Sequence, residues 1–246
     1  RRFFDINELM SLRIEDEEVY IDSHKMIFEW IKQGKVAGLR LDHPDGLKDP
    51  QQYFTRLQNS ISTLLQDTTG SDKGKSFYVL VEKILEKGEE LPNDWAVDGT
   101  TGYDFMNMLN GVFVATKHYD VMKQIYQKFI QTQKTDAITL DFPQLLYSCK
   151  KLILTMSLES ELTTLTDALY NICKKSMQFS ELTFRQCKLA LEEYIAFFPV
   201  YRTYLSPSHE LPNDTELHQI ESSIALARQK NPALDPILFD MLESIL

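Results

Sequence analysis

The stretch "VAGLRLDHPDGLKDP", residues 36–50, begins as an apolar strand and ends as a polar loop. Its first half predicts a short buried strand. A guanidinium, Arg40, and a carboxylate, Asp42, stand where that strand ends. Because they are two residues apart on a strand, their side chains point to the same side. The stretch therefore places two opposite charges at the carboxyl end of a strand, where parallel α/β proteins gather their ligands.

Helices and strands alternate through the first hundred residues. Residues 16–34 have apolar side chains at helical spacing, with Gly34 as a stop, and residues 49–68 predict a helix with Pro50 near its start. The segment "SFYVLVEKIL", residues 76–85, predicts a second strand. This order is typical of βαβ units and predicts a parallel sheet.

The second half of the chain is mainly helical in pattern. Helical periodicity runs from about residue 118 to 195, and Ser180 in "FSELTF" predicts a break with a new helix cap. Residues 197–205, "FFPVYRTYL", predict a third strand, since proline is tolerated near a strand start. Two more amphipathic helices are predicted over 215–231 and 235–246. The helical block thus lies between barrel-like elements.

Composition and charge exclude several function classes. The 246 residues carry a net charge of -10, which argues against nucleic acid or an anionic membrane as a main partner. No apolar run reaches membrane-spanning length. Three widely spaced cysteines, without a CxxC or Cys/His metal pattern, predict reduced thiols in a cytosolic setting. We expect neither a metal nor a cofactor.

Two carboxylates, Asp42 and Glu82, follow the first two predicted strands. Neighbouring strands lie about 4.8 Å apart, and retaining glycosidases hold a nucleophile and an acid/base about 5–5.5 Å apart. Adjacent strand ends can therefore supply this pair. Arg40 beside Asp42 would keep the nucleophile ionised and oriented. The residues alone leave a plainer alternative open, in which the carboxylates are helix caps or surface ion pairs.

Longer motifs carry a resemblance to a known family. The segments "RRFFDINELMSLR" (1–13), "GLRLDHPDGLKDP" (38–50), "KILEKGEELPNDWAVDGTTGYDFMN" (83–107) and "FPVYRTYL" (198–205) together resemble the maltooligosyltrehalose synthases. These enzymes belong to the α-amylase superfamily, glycoside hydrolase family 13. An ordinary amylase would usually carry a histidine four residues after the nucleophile, and Gly46 stands there. The departure agrees with the synthase pattern.

The resemblance implies an α/β fold, the middle of a (β/α)8 TIM barrel. The three predicted strands would be its fourth to sixth, with a large helical insertion that makes the chain helix-rich. Residues 1–115 would be the central part of the catalytic barrel, 116–196 the insertion, and 197–246 the sixth strand and following helices. Both ends predict a fragment of a longer protein. Such a fragment would expose sheet edges, so we expect rearrangement or self-association.

The resemblance also implies an isomerase, a (1→4)-α-D-glucan 1-α-D-glucosylmutase. The reducing-end α-1,4 bond of a maltooligosaccharide would become an α,α-1,1 bond, for trehalose biosynthesis in the cytoplasm. Asp42 would be the nucleophile, Glu82 the acid/base, and Arg40 the group that orients Asp42. Further candidates for sugar contacts are His43, Asp45, Trp95, Asp98, Tyr103, Asp104, Tyr201 and Arg202. Trp95 could equally be a core residue.

Two other functions remain open from the sequence. One is an amylase-type hydrolase that releases shorter sugars from the same α-1,4-glucans. The other is a non-catalytic helical interaction module in which the charges at the strand ends are incidental. The family's third catalytic carboxylate lies outside this chain, so we expect the chain alone to be inactive.

Overall fold

The computed structural model describes residues 6, 8–69, 76–132, 141–205 and 212–246. The helices found there are α1 (Glu17–Lys32), α2 (Pro50–Thr69), α3 (Tyr103–Val112), α4 (Tyr119–Thr132), α5 (Phe142–Met156), α6 (Glu159–Cys173), α7 (Phe184–Phe197), α8 (Asp214–Lys230) and α9 (Ile237–Ile245). The strands are β1 (Gly38–Leu41), β2 (Tyr78–Val81) and β3 (Gly99–Thr100). The described residues therefore form a helix-rich structure with one small sheet.

The chain divides into two compact units. The first contains the described residues up to Met122 together with residues 202–205. The second contains the described residues from Lys123 to Tyr201 and from 212 to the end. The division into 1–115, 116–196 and 197–246 concerns the barrel of a longer protein and stays a prediction.

The sheet has the strand order β1-β2-β3, and both pairs are parallel. Leu41 pairs with Val81, and Val81 with Thr100, so the carboxyl ends of the three strands lie at one edge. The parallel pairing predicted for the first two strands is confirmed. The connection between them is α2, as a parallel crossover requires.

The strand predicted over residues 197–205 is wrong. Helix α7 continues to Phe197, and residues 198–205 have no regular secondary structure. The helix buries Ala196 in its last turn, and Pro199 then disfavours helical geometry at the residue before it. The third strand is instead β3, whose two residues are too short to give a strand pattern in the sequence.

Local sequence signals explain where α1 and α2 begin and end. Asp16 caps α1 by accepting a hydrogen bond from an amide of the first turn, and Lys32 lies in the last turn, where a cation favours the helix dipole. Gly34 follows with a φ of 66°, which confirms it as the stop. Pro50 begins α2, and Asp49 accepts from the Gln52 amide at 2.9 Å.

The core of the first unit lies between the sheet and the first two helices. Ile31 of α1, Leu57 and Ile61 of α2, and Val79 of β2 are almost fully buried in one cluster. Leu39 and Leu41 of β1 pack against that cluster. Because side chains alternate along a strand, Arg40 and Asp42 point to the opposite face of the sheet.

The second unit is a helical bundle organised around α7. This helix packs against α5, α6, α8 and α9, and its capping box joins Thr183 to Gln186. The new cap is therefore Thr183 rather than Ser180. The free thiols of Cys173 and Cys187 are buried in this core, 4.0 Å apart, and burial raises the pKa of Cys187 to about 12.

Candidate active site

The two predicted catalytic carboxylates follow neighbouring parallel strands. The Glu82 amide donates to the carbonyl oxygen of Leu41 at 2.8 Å, which extends the pairing of β1 with β2 by one step. The His43 amide donates to Oε2 of Glu82 at 3.4 Å. Asp42 lies between these two contacts in the chain, so Asp42 and Glu82 share one edge of the sheet.

Arg40 and Asp42 form the ion pair that the sequence predicts. Nη2 of Arg40 lies 3.1 Å from Oδ1 of Asp42, and the two side chains are 57% and 69% exposed. A pair this open to water adds at most about 1 kcal/mol to stability. The pair therefore contributes little to the stability of the fold, and its role in orienting Asp42 stays a prediction.

His43 begins the short 3₁₀ turn Pro44–Gly46 in a left-handed conformation, with a φ of 48°. A residue other than glycine in this region costs on the order of 1–3 kcal/mol, so its surroundings must hold it there. A Cβ atom at Gly46 would lie 2.9 Å from Cδ2 of His43. Glycine at 46, where an amylase would carry histidine, thus leaves the space that the His43 ring occupies.

A buried cluster of charges lies beneath this turn. We call Asp45, Lys83, Glu89, Arg202 and Tyr204 the Lys83 cluster. The Lys83 side chain is 0% exposed, and its ammonium lies 2.7 Å from a Glu89 oxygen and 3.6 Å from an Asp45 oxygen. The Tyr204 hydroxyl donates to Oδ1 of Asp45. Burial, reinforced by these carboxylates, raises the pKa of Tyr204, so its hydroxyl stays protonated as a donor.

Arg202 fixes the backbone of the same turn. Its Nη1 donates to the carbonyl oxygens of Asp45 at 2.9 Å and Leu47 at 2.7 Å. The guanidinium also lies over the Tyr204 ring, 5.2 Å from its centre. Arg202 and Asp45 were predicted as sugar contacts, and the structure instead shows them bonded to the protein's own groups.

Trp95 and Asp98 also have structural partners. Trp95 is 5% exposed and packs against Phe54 and Tyr204, so the core interpretation of this residue is the one observed. Oδ2 of Asp98 accepts from the Val79 amide at 2.7 Å. Asp98 precedes β3 and lies below the carboxyl edge of the sheet, where it joins the start of β3 to β2.

The remaining candidates lie at or after the end of β3 and in the second unit. Asp104 accepts from the Thr100 hydroxyl at 2.5 Å, and this bond is the main reason why the pKa of Asp104 is below its usual value. Tyr103 is the first residue of α3 and is exposed. Tyr201 is exposed in the second unit.

A cavity of about 370 Å³ opens beside the turn. Asp42, His43 and Gly46 line it on one side, and His24 and Tyr53 line it on another. Nε2 of His24 lies 2.8 Å from the Tyr53 hydroxyl, and burial lowers the pKa of His24. The histidine therefore stays neutral at neutral pH and forms a fixed wall. Within the part of the chain that the structure describes, no group of His, Cys, Asp and Glu is arranged to hold a metal.

Sequence reasoning missed Lys83, Glu89 and Tyr204. Lys83 carried a usable signal, because in the strand predicted over residues 76–85 it lies two residues after Val81 and so on the same predicted side. A charge on the apolar side of a strand needs a buried partner. The identity of that partner could not be read from the sequence, since Tyr204 lies far along the chain.

Comparison with known proteins shows which proteins this chain is similar to. No protein-family model matches the chain. Two Mycobacterium tuberculosis proteins, from strains CDC 1551 and H37Rv, are named as maltooligosyl trehalose synthases and are 40% identical to it over 114 residues. Over this region the chain is similar to part of a maltooligosyltrehalose synthase. The aligned region covers 46% of this chain and 13% of each synthase.

Solved structures of such synthases extend the similarity to nearly the whole chain. The Arthrobacter ramosus maltooligosyltrehalose synthase matches with a TM-score of 0.73 and 26% identity, over 99% of this chain and 27% of that one. A glycosyltrehalose synthase from strain DSM5389 matches with a TM-score of 0.66 and 28% identity, over 98% and 26%. The resemblance predicted from the sequence is confirmed, and the chain spans about a quarter of these synthases.

Among the residues that the structure describes, no helix is both long enough and apolar enough to cross a bilayer.

Proposed function

We propose that this chain is the central part of a maltooligosyltrehalose synthase. The enzyme would convert the reducing-end α-1,4 bond of a maltooligosaccharide to an α,α-1,1 bond. The observation that carries the proposal is the placement of Asp42 and Glu82 directly after two adjacent parallel strands, with the His43 amide bonded to Glu82, in a chain similar to these synthases. The remainder of the enzyme would complete a (β/α)8 barrel around this sheet.

The reaction then has two steps. The Asp42 carboxylate attacks the anomeric carbon of the penultimate glucose, while Glu82 gives its proton to the oxygen that leaves with the terminal glucose. Glu82, now ionised, removes the proton from the 1-hydroxyl of that glucose, whose oxygen attacks the same anomeric carbon and releases Asp42. Two displacements restore the original configuration at that carbon. Arg40 holds the nucleophile in place through its ion pair.

The second step requires that the released glucose turn over inside the site while water stays out. The compact turn Pro44–Gly46 supports this requirement, because it leaves room for the His43 ring directly beside Asp42. Three free thiols agree with a reducing compartment such as the cytoplasm.

The surface of α3 supports a larger assembly. This helix has no buried residue, and Phe105, Met108, Val112 and Phe113 are all exposed. An apolar surface of this size is usually covered by other protein. We expect the rest of the synthase to cover it, and we expect the chain alone to be inactive because the third carboxylate lies elsewhere.

The test uses the full-length enzyme that contains this chain, with maltopentaose as substrate. A non-reducing product of unchanged length supports the synthase, whereas shorter reducing sugars would show the amylase-type hydrolase instead. Asp42→Asn and Glu82→Gln should each lower the rate by about a thousandfold, since each removes a group that takes part in bond cleavage.

The matched controls are Asp94→Asn and Glu90→Gln, which make the same chemical changes at exposed positions. They should leave the rate within twofold of the parent enzyme. If Asp42→Asn and Glu82→Gln both retained full turnover, the catalytic proposal would fail and a helical interaction module would be favoured. Formation of trehalose ends by the isolated chain would contradict its expected inactivity.

A further inference from the structure

The Lys83 cluster is attached to the backbone shortly after each of the two carboxylates that we assign to catalysis. Lys83 follows Glu82 directly, and Asp45 lies three residues after Asp42. Both residues follow the end of β2, where the Lys83 amide donates to the carbonyl oxygen of Val81 at 3.1 Å. Fixing Lys83 therefore fixes the backbone from which Glu82 projects.

The ion pairs that anchor Lys83 are almost completely shielded from water. The exposed fractions of the Lys83, Glu89 and Asp45 side chains are 0%, 9% and 10%. Ion pairs in such a setting are screened little by water and tolerate little displacement, because moving one partner leaves the other charge buried alone. This contact anchors the chain just after the end of β2.

The other half of the cluster holds the turn after β1. Arg202 donates to the carbonyl oxygens of Asp45 and Leu47, two residues apart in that turn. Tyr204 donates to the Asp45 carboxylate. Within the turn, His43 keeps its left-handed conformation and directs its amide to Glu82. The turn would otherwise be a surface loop without a backbone ladder to fix it.

We propose that the Lys83 cluster is a positioning device for the candidate active site. This inference rests on the proposed function. Through Lys83, Arg202 and Tyr204, the cluster keeps the His43 amide on Glu82 and holds the turn closed beside Asp42. It thereby favours transfer of the glycosyl group to the glucose hydroxyl over transfer to water.

The test compares Tyr204→Phe with Tyr147→Phe in the full-length enzyme. Each variant removes one hydroxyl that donates to a buried carboxylate, Asp45 in one case and Glu193 in the other. Tyr204→Phe should raise the ratio of free glucose to rearranged product about threefold or more and lower kcat about tenfold, with KM within twofold. Tyr147→Phe should leave the ratio unchanged.

The product ratio is a property of each turnover, so a smaller folded fraction does not alter it. An unchanged ratio in Tyr204→Phe would overturn the proposal, as would an equal rise in Tyr147→Phe. If Tyr204→Phe does not fold, Arg202→Lys replaces it, because lysine keeps the charge but cannot bridge the two carbonyls in the same way. The same ratio and the same outcomes apply to that variant.

A second readout does not depend on activity. In crystal structures of the full-length enzyme, the distance from the His43 amide nitrogen to Oε2 of Glu82 should exceed 3.5 Å in Tyr204→Phe and stay within that limit in Tyr147→Phe. An unchanged distance would overturn the positioning role. A lengthened distance in an enzyme that makes no trehalose ends would uphold the positioning role while the proposed reaction fails.

Discussion

The two units bury charge in opposite ways. In the first unit a cation lies at the centre, where the Lys83 ammonium faces the carboxylates of Asp45 and Glu89. In the second unit a carboxylate lies at the centre. Glu193 accepts from Lys151 at 2.8 Å, from the Tyr147 hydroxyl at 2.8 Å and from the Asn231 amide at 2.7 Å. We call these last four residues the Glu193 cluster.

The clusters differ in what they connect. The partners of Lys83 lie in a turn, a loop and an irregular segment, none of which has a backbone ladder of its own. The members of the Glu193 cluster lie on α5 and α7 and at the end of α8, which a large apolar core already holds together. Loss of a contact should therefore change local shape in the first unit and mainly stability in the second.

The largest expected effect is that of Lys83→Met on the first unit. The change leaves two buried carboxylates facing each other without a cation, which costs about 3–5 kcal/mol in the free energy of unfolding. Urea unfolding of the full-length enzyme measures this loss. Lys188→Met, which breaks an ion pair with the exposed Glu159, should cost no more than about 1 kcal/mol. Equal losses in the two variants would remove the distinction between buried and surface pairs.

A smaller effect, dependent on pH, is expected at Glu193. Burial raises the pKa of its carboxyl, but hydrogen bonds from Lys151, Tyr147 and Asn231 together outweigh burial, so the pKa lies below its ordinary value. A lowered pKa stabilises the fold at pH values above the ordinary one, about 4.3, and this contribution disappears as the pH falls through the lowered value.

Glu193→Gln should therefore cost about 1–3 kcal/mol at neutral pH. Thermal unfolding of the parent and the variant at a series of pH values should show this difference shrinking below about pH 4.3. A difference that grows with acid would show that the pKa of Glu193 is raised in the folded enzyme. Product ratios should not change, since the cluster lies in the second unit.

The smallest effects separate the clusters by function rather than by stability. Tyr147→Phe and Tyr204→Phe each remove one hydroxyl bond and should each cost about 1 kcal/mol, measured as a shift in the urea midpoint. Similar shifts in the two variants, with a change in product ratio for Tyr204→Phe alone, would show that the clusters differ in function and not in their contribution to stability. A much larger loss of stability in Tyr204→Phe would assign its lower kcat to a smaller folded fraction, and the product ratio alone would then test the positioning role.

Local sequence patterns were enough to predict the charged residues at the ends of β1 and β2. Arg40 and Asp42 are two residues apart on one strand, and Glu82 ends the next apolar run, so alternation and strand order were enough to place them together. The strand predicted at residues 197–205 failed because Phe197 completes α7 and because Arg202 and Tyr204 bond to a remote turn.

Other parts of the site were beyond sequence reasoning for physical reasons. Asp98 looks like a free carboxylate in the sequence, and only the register of β2 shows that the Val79 amide binds it. For Trp95 no sequence pattern distinguishes a ring that stacks on sugar from a core residue, because both roles need the same large aromatic ring. Burial, a property of the folded chain, decides between them.

The contact between Arg202 and the carbonyl of Asp45 joins positions 157 residues apart in the chain. Ribosomes add about 5–20 residues per second, so roughly 8–30 s pass between the synthesis of these two residues. During that time the turn that carries His43 lacks the guanidinium that holds it. The nascent chain therefore emerges with Asp42 in an unfinished setting, and helices α5, α6 and α7 of the second unit are made before that setting can be completed.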